Sequence, residues 1–291
     1  MLRKLYLVPN VIEGNILKPM RRRLNKFKVK LLRASEVRAR NQFAINGKPE
    51  FLEVKENLKA YGFSKITKDV LSEGEVESFV LKAKELIATK ELKDEENKKF
   101  WQRPLSGTSL DSEHFLVKFA MHDHILSIVS EYIQGLPLLN SVELIRSIDS
   151  GEDGWSRSQL WHNDHDDLKM LKLFIYLTDV KNHNDGPFEY FESGETKAMR
   201  LRYSPVHKTD AVINSASVYE HSSVFGEIGT CFVIDTSQCL HRGSRVRGEA
   251  NRLVYIATYT SCCRLVPKKQ GIQVSDKASS FTAALITPID F

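Results

Sequence analysis

Between residues 158 and 167 the chain reads Ser-Gln-Leu-Trp-His162-Asn-Asp164-His165-Asp166-Asp167, which gathers two histidines and three carboxylates into ten residues. In an extended chain, residues two apart project to the same side, so His162 and Asp164 present one imidazole and one carboxylate to a single ion. A third donor from a distant part of the chain would complete a two-histidine, one-carboxylate face. Such a face leaves coordination positions open and is the ligand set of non-haem iron(II) oxygenases. His241 is the best placed third donor, because it follows the β-rich run 229–240 and precedes a Gly-Ser turn. A His-x-Asp pair alone is also common as a hydrogen-bonded surface pair. His165 with Asp167 forms a competing pair, but moving the pair by three residues turns it to the other side of the strand. His165, Asp166 and Asp167 are therefore expected to support the site or face water.

Other residues could add chemistry. Arg252 lies eleven residues beyond His241, at the start of the apolar and aromatic run Leu-Val-Tyr-Ile-Ala-Thr-Tyr. Its planar fork suits two-pronged binding of a carboxylate. Arg245 and Arg247 compete for that role but sit in a Gly-Ser-Arg-Val-Arg-Gly turn and are expected to face water. Along 171–178, Lys172, Phe174, Tyr176 and Thr178 share one side, while Leu171, Leu173, Ile175 and Leu177 make a wholly apolar side that belongs in the core. His122 and His124 fall on a helix expected over 112–134, where their rings point about 200° apart, and are read as structural or surface residues.

These residues need a scaffold that brings strand ends together. From Leu138 onward, short β-rich runs at 138–147, 158–164, 171–179, 187–191, 229–235 and 252–260 are separated by Gly, Asn and Asp. Without helical periods between them they imply a β-sandwich or jelly roll, and no Gly-rich phosphate loop appears. Upstream, 61–68 reads as a short strand, and Ser72 with Glu75 forms a capping box ahead of Val76, Phe79, Val80, Ala83 and Ile87. The charged stretch 90–99 reads as a surface loop or fraying helix end. The expected fold class is mainly β with flanking helices (α+β) around a double-stranded β-helix, that is, a cupin-like jelly-roll core. The expected organisation is a basic helical extension over 1–57, a domain over 58–262 with a lid insertion at 192–228, and a tail over 263–291.

The 291 residues carry a formal charge of +5, unevenly spread: residues 1–40 hold twelve Lys or Arg against two Glu. The remainder is mildly acidic, which argues against a nucleic-acid surface across the whole protein. Met20, Leu24, Phe27 and Leu31 recur at helical spacing among Arg21, Arg22, Arg23, Lys26, Lys28 and Lys30. Peripheral contact of residues 16–40 with an anionic membrane would use this stripe, but it is not the favoured reading, since docking onto the domain's own core explains the same pattern. No apolar run spans a bilayer, no secretion signal is read, and Cys231, Cys239, Cys262 and Cys263 lack paired spacing, so free thiols in a cytoplasmic protein are expected.

Over roughly 58–262 the chain resembles the phytanoyl-CoA dioxygenase-like family of iron(II)- and 2-oxoglutarate-dependent oxygenases. The resemblance rests on Tyr61-Gly-Phe before a capped helix, Trp161-His-Asn-Asp164, Phe174-Ile-Tyr-Leu-Thr-Asp-Val180 leading to Gly186-Pro-Phe, and His241 with Arg252 eleven residues on. It implies that His162, Asp164 and His241 are the iron ligands and catalytic centre, that Arg252 clamps the distal carboxylate of 2-oxoglutarate, and that dioxygen is the oxidant. Lys172 or Tyr176 would reach the cosubstrate by a hydrogen bond, although an ordinary half-exposed strand face fits them equally. A carboxylate at Asp164 implies hydroxylation, since related halogenases carry a small residue there. The family's Gly-Ser-His turn is missing from 191–197, and Arg242 stands where a small residue usually follows the distal histidine. The expected substrate is a small or amphiphilic metabolite, with an anionic group suggested by Arg200, Arg202, His207 and Lys208. Two other classes share the pattern: a cupin-type isomerase or hydrolase, which would not need Arg252, and a non-catalytic β-sandwich binding protein.

Overall fold

The structure is a computed structural model that describes residues 34–43, 51–90, 94–95, 98–106, 108–152, 154–201, 207–261 and 271–289, with Met20, Leu24 and Phe27 each on a helix. Its helices are α1 (Ala34–Asn41), α2 (Leu52–Tyr61), α3 (Glu73–Ala88), α4 (Phe115–Ala120), α5 (Asp123–Ile133), α6 (Ser193–Ala198), α7 (Asp210–Ala216) and α8 (Ser280–Ile286). The strands are β1 (Phe63–Lys65), β2 (Asp94–Glu95), β3 (Lys98–Gln102), β4 (Leu110–Asp111), β5 (Pro137–Ile148), β6 (Met170–Tyr176), β7 (Phe188–Tyr190), β8 (Ser222–Val224), β9 (Cys231–Asp235), β10 (His241–Arg242), β11 (Asn251–Ser261) and β12 (Ile272–Gln273).

Seven strands form one sheet in the order β1-β9-β6-β11-β5-β3-β2, and β10-β7-β8 form a second. The long pair β5 and β11 sets the register, from Asn251 opposite Ile148 to Ser261 opposite Pro137, with a shift between Thr258 and Tyr259. Side-chain alternation then divides the apolar residues between two faces. Leu171, Leu173, Ile175, Tyr255 and Ala257 face outward and pack under the helices with Phe79, Leu116 and Leu126. Phe174, Tyr176, Phe232, Ile234 and Val254 face inward against Phe188, Tyr190 and Val224 of the second sheet. The result is a mainly β, jelly-roll core with helices on one side. The inward face of β6 is buried barrel interior, so the half-exposed reading of that face is replaced by an enclosed one.

Several local expectations hold and others shift. Ser72 and Glu75 make the full capping box of α3, which buries Phe79, Val80, Ala83 and Ile87. Residues 61–68 are not one strand: Tyr61 ends α2, Gly62 takes the left-handed conformation at φ 77, and only Phe63–Lys65 pairs in the sheet. A Cβ at Gly62 would stand 2.6 Å from Cys239 Sγ, so the close passage itself requires glycine. The expected helix over 112–134 breaks into α4 and α5 because His122 leaves helical geometry and its Nδ1 accepts the His124 amide as an N-cap. Helical angles therefore do not apply to these rings, which lie 5.0 Å apart; His122 bonds Glu75 and His124 bonds the Val70 carbonyl. The charged stretch 90–99 supplies β2 and the start of β3. Residues 158–164 form no strand, but a 3-10 turn at Arg157–Gln159 followed by isolated bridges.

The boundary placed at residue 57 falls inside α2, whose Val54 and Leu58 belong to the main core. Beyond residue 262, α8 buries Leu285 and Ile286 in the same core. The last part of 192–228, Ser222–Val224, is a strand of the second sheet. Cys231 and Cys239 are buried free thiols, whereas Cys262 and Cys263 lie outside the described residues. So do Leu31 and all the basic residues of 17–33; Met20, Leu24 and Phe27 are 61%, 54% and 63% exposed, so these three do not dock on the core. Among the described residues no helix is long and apolar enough to cross a membrane.

Candidate metal centre

After the turn at Arg157–Gln159 the backbone extends, and His162 pairs with His241 in an antiparallel bridge closed by two N–H···O bonds of 2.9 Å. Directly opposed residues put their side chains on the same side. The two imidazole centroids therefore lie 4.3 Å apart. Asp164 is held in place by its own amide, which donates to the Thr236 carbonyl at 3.0 Å. One ligand atom each from His162, Asp164 and His241 falls within 4.8 Å of the others, the spacing of donors around one ion.

The tautomers suit ligation. His162 Nδ1 lies 2.8 Å from the Leu160 carbonyl and His241 Nδ1 lies 3.0 Å from the Cys239 carbonyl. A nitrogen facing a carbonyl must carry the proton, which leaves each Nε2 lone pair for a metal. Burial, with His241 beside it, pushes His162 well below the usual imidazole range; burial lowers His241 as well, against the pull of Asp164. Burial alone would raise the Asp164 carboxyl, but the Lys172 ammonium 2.8 Å away and the two imidazoles hold it below the usual carboxylate range. Two neutral imidazoles and an ionised carboxylate are thus preformed.

Arg252 lies deeper in the same barrel and is 5% exposed. Its Nη1 donates to the Gly186 carbonyl at 2.5 Å, its Nη2 donates to Ser244 Oγ at 2.9 Å, and it stands beside the Tyr176 hydroxyl. Its Nε is buried and makes no hydrogen bond. Among the described residues no carboxylate pairs with it, whereas Arg242 and Arg245 pair with Asp210 and Arg247 with Asp149. A buried guanidinium without a counter-charge is a costly arrangement that an anionic ligand would relieve. Gly243, two residues from His241, approaches this guanidinium, and Phe188 reaches Gly243 while stacking on the His241 ring at 5.4 Å. Gly243 and Phe188 thus bridge from His241 to the Arg252 guanidinium.

Lys172 and Tyr176 both point into the barrel, at different depths. Lys172 stands at Asp164, while the Tyr176 hydroxyl donates to the Val224 carbonyl at 2.9 Å and accepts the Phe188 amide at 3.1 Å. Tyr176 thereby ties β6 to β7 and β8 of the second sheet. Asp167 is fully buried and accepts from the Ser261 amide and hydroxyl, so it anchors the end of β11 rather than offering a shifted ligand pair with His165. Arg245 does not face water: it bonds the Gln159 carbonyl and Asp210 and lies over Trp155. Arg247 also covers Trp155 but stays 40% exposed.

Two neighbours of the site escaped the sequence reading. Ser244, in the left-handed conformation at φ 62, gathers Arg252, Trp101 and Ser147 on one hydroxyl. The Gly-Ser turn after His241 marked a turn there, but nothing in the sequence linked it to residues 101 and 147. His207, seen only as one of several basic loop residues, stacks on His162 with centroids 4.9 Å apart.

Neither a family model nor a curated protein matches the chain. Solved structures do match in fold. EctD from S. alaskensis in its apoform aligns with TM-score 0.55 at 15% identity over 79% of this chain and 85% of its own. The epimerase SnoN, in complex with Fe3+, α-ketoglutarate and nogalamycin RO, aligns with TM-score 0.52 at 15% identity over 79% and 98%. The non-haem α-ketoglutarate-dependent carbocyclase SnoK of nogalamycin biosynthesis gives TM-score 0.52 at 17% identity over 72% and 83%. At such identities the likeness establishes the shared fold.

Proposed function

We propose that the protein is an iron(II)- and 2-oxoglutarate-dependent dioxygenase of the phytanoyl-CoA dioxygenase-like kind, hydroxylating a small or amphiphilic metabolite. His162, Asp164 and His241 would hold the metal, and Arg252 would take the distal carboxylate of 2-oxoglutarate. One observation carries the reading: a preformed two-histidine, one-carboxylate group is bridged by Gly243 and Phe188 to a buried guanidinium that, among the described residues, pairs with no carboxylate. A cupin-type isomerase or hydrolase would have no use for that guanidinium. The iron and α-ketoglutarate of the SnoN complex lend support by fold.

Bound iron(II) with 2-oxoglutarate and dioxygen supplies an oxidative decarboxylation coupled to oxidation of a substrate C–H bond. The chain's own residues do the positioning. The Leu160 and Cys239 carbonyls aim the two Nε2 atoms, and Lys172 keeps Asp164 ionised from one side of the face. Arg252, fixed by Gly186 and Ser244, would hold one carboxylate of 2-oxoglutarate. Tyr176 stands by the same guanidinium with its hydroxyl already engaged by backbone, so it shapes the pocket more than it donates. Phe188, packed on Phe174 and stacked on the His241 ring, sets apolar surface against that imidazole.

Iron(II) titration under anaerobic conditions tests the ligand assignment. One ion per chain is expected in the parent, and none in His162→Ala, Asp164→Ala or His241→Ala. Undiminished binding in any of the three would remove that residue from the ligand set, with a second change at His165 checking whether that ring substitutes.

A further inference from the structure

We propose that Arg242 is a positioning residue for the metal-ligand face: by pairing with Asp210 it clasps residues 207–216 across the mouth and holds His207 against His162. This rests on the metal reading above. Arg242 directly follows His241, and its buried guanidinium bonds Glu189 Oε2 through Nε at 2.5 Å and Asp210 Oδ1 through Nη1. Its flat face lies 4.2 Å from the Trp161 ring centroid. Asp210 is the first residue of α7 and also accepts from Trp161 Nε1 at 2.9 Å and from Arg245 Nη1 at 2.7 Å. One carboxylate on the covering segment thus takes donors from both sides of the ligand bridge, from Trp161 beside His162 and from Arg242 beside His241. Only a two-pronged cation at position 242 serves Glu189 and Asp210 together.

The clasped segment is fitted to the site along its length. Lys208 and Trp161 exchange backbone bonds of 3.0 and 2.9 Å, one residue from His207 and one from His162. Further along, Ile213 is 1% exposed in a small cluster with Trp161, Phe191 and Leu240. The exposed His207 ring then lies nearly parallel to His162, with 26° between their planes. A ring stacked on a ligand imidazole restricts its rotation and covers one approach to the metal, so the clasp should slow metal release.

The test uses the full chain loaded with Co(II). Hydrogen exchange at the amides of Lys208, Ile213 and Ser217 is expected to speed up in Arg242→Ala and in Asp210→Asn, with β9 and β11 unchanged. Release of Co(II) to a chelator is expected to be at least about tenfold faster in both, a few-fold faster in Arg242→Lys and in His207→Ala, and unchanged in Arg247→Ala. Asp210→Asn keeps the decision open if Arg242→Ala does not fold. Unaltered exchange at the three amides would show there is no clasp, and faster exchange with unaltered Co(II) release would show that the clasp does not act on the site. A parent protein that takes up no Co(II) overturns the metal reading instead, and the exchange data still decide the clasp.

Discussion

At the residue scale, the grouping of His162, Asp164 and His241 was readable because its logic is local: a two-residue step in extended chain and a distant histidine before a turn. The structure adds the cross-strand pairing of His162 with His241, which no spacing reveals, and the backbone carbonyls that set both tautomers. Arg252 was readable as the fork at a strand mouth, whereas Arg245 was misjudged because its carboxylate partner, Asp210, comes from a segment 35 residues away. What distinguishes Arg252 from Arg242, Arg245 and Arg247 is that, among the described residues, no carboxylate pairs with it, a fact of packing rather than of sequence. Arg252→Lys keeps the charge and removes the planar fork, so 2-oxoglutarate binding should weaken by about 2–4 kcal/mol, roughly 30- to 1,000-fold, with iron binding retained. Titration of the iron-loaded variant checks this, and an unchanged dissociation constant would exclude the residue as the clamp. Gly186→Ala should weaken the same binding from the other side. At φ 68 its new Cβ would meet Val246 Cγ2 at 2.8 Å and the Val246 amide nitrogen at 2.9 Å, displacing the carbonyl that holds Arg252. A variant that binds 2-oxoglutarate like the parent would show that this carbonyl does not set the guanidinium.

At the element scale, long strands and the capped helix α3 were legible because alternation and capping repeat over many residues. The run 187–191 was legible as β7, but β8 and β10, of three and two residues, were not read because too few side chains alternate to show a period. Those short strands are tied together by charge. Glu189 on β7 bonds Arg242 on β10, and His221 and Ser223 near β8. Burial would raise its carboxyl, but these donors bring it down to about 2 from an ordinary 4.5. Because the folded value lies below the unfolded one, the ionised form contributes stability above about pH 4.5, and that contribution is lost as pH falls through about 2. The gap is worth about 3 kcal/mol. Urea unfolding should therefore find Glu189→Gln less stable than the parent by about that amount at pH 7, with the difference shrinking steadily below pH 4.5. A difference that stays constant down to pH 2.5 would mean that ionisation of Glu189 does not hold the small sheet.

At the scale of the whole molecule, the jelly roll was legible from the clustering of β-rich runs in the second half of the chain, and the helical cover from α3. The extent of the core was not, because α2 and α8 join it by contacts that only the folded chain makes. Outside the core, Met20, Leu24 and Phe27 expose an apolar stripe in a stretch of chain rich in Lys and Arg. Full-length protein should therefore sediment with anionic vesicles at low salt and be released at high salt, and removal of residues 1–33 should abolish sedimentation. Sedimentation that is insensitive to that deletion would assign the contact elsewhere. If His162, Asp164, His241 and Arg252 form one cosubstrate site, calorimetric titration of the anaerobic, iron(II)-loaded parent with 2-oxoglutarate will detect it. Saturable binding of one 2-oxoglutarate per chain that requires the metal is expected. A protein that binds iron at His162, Asp164 and His241 yet takes up no 2-oxoglutarate would contradict it.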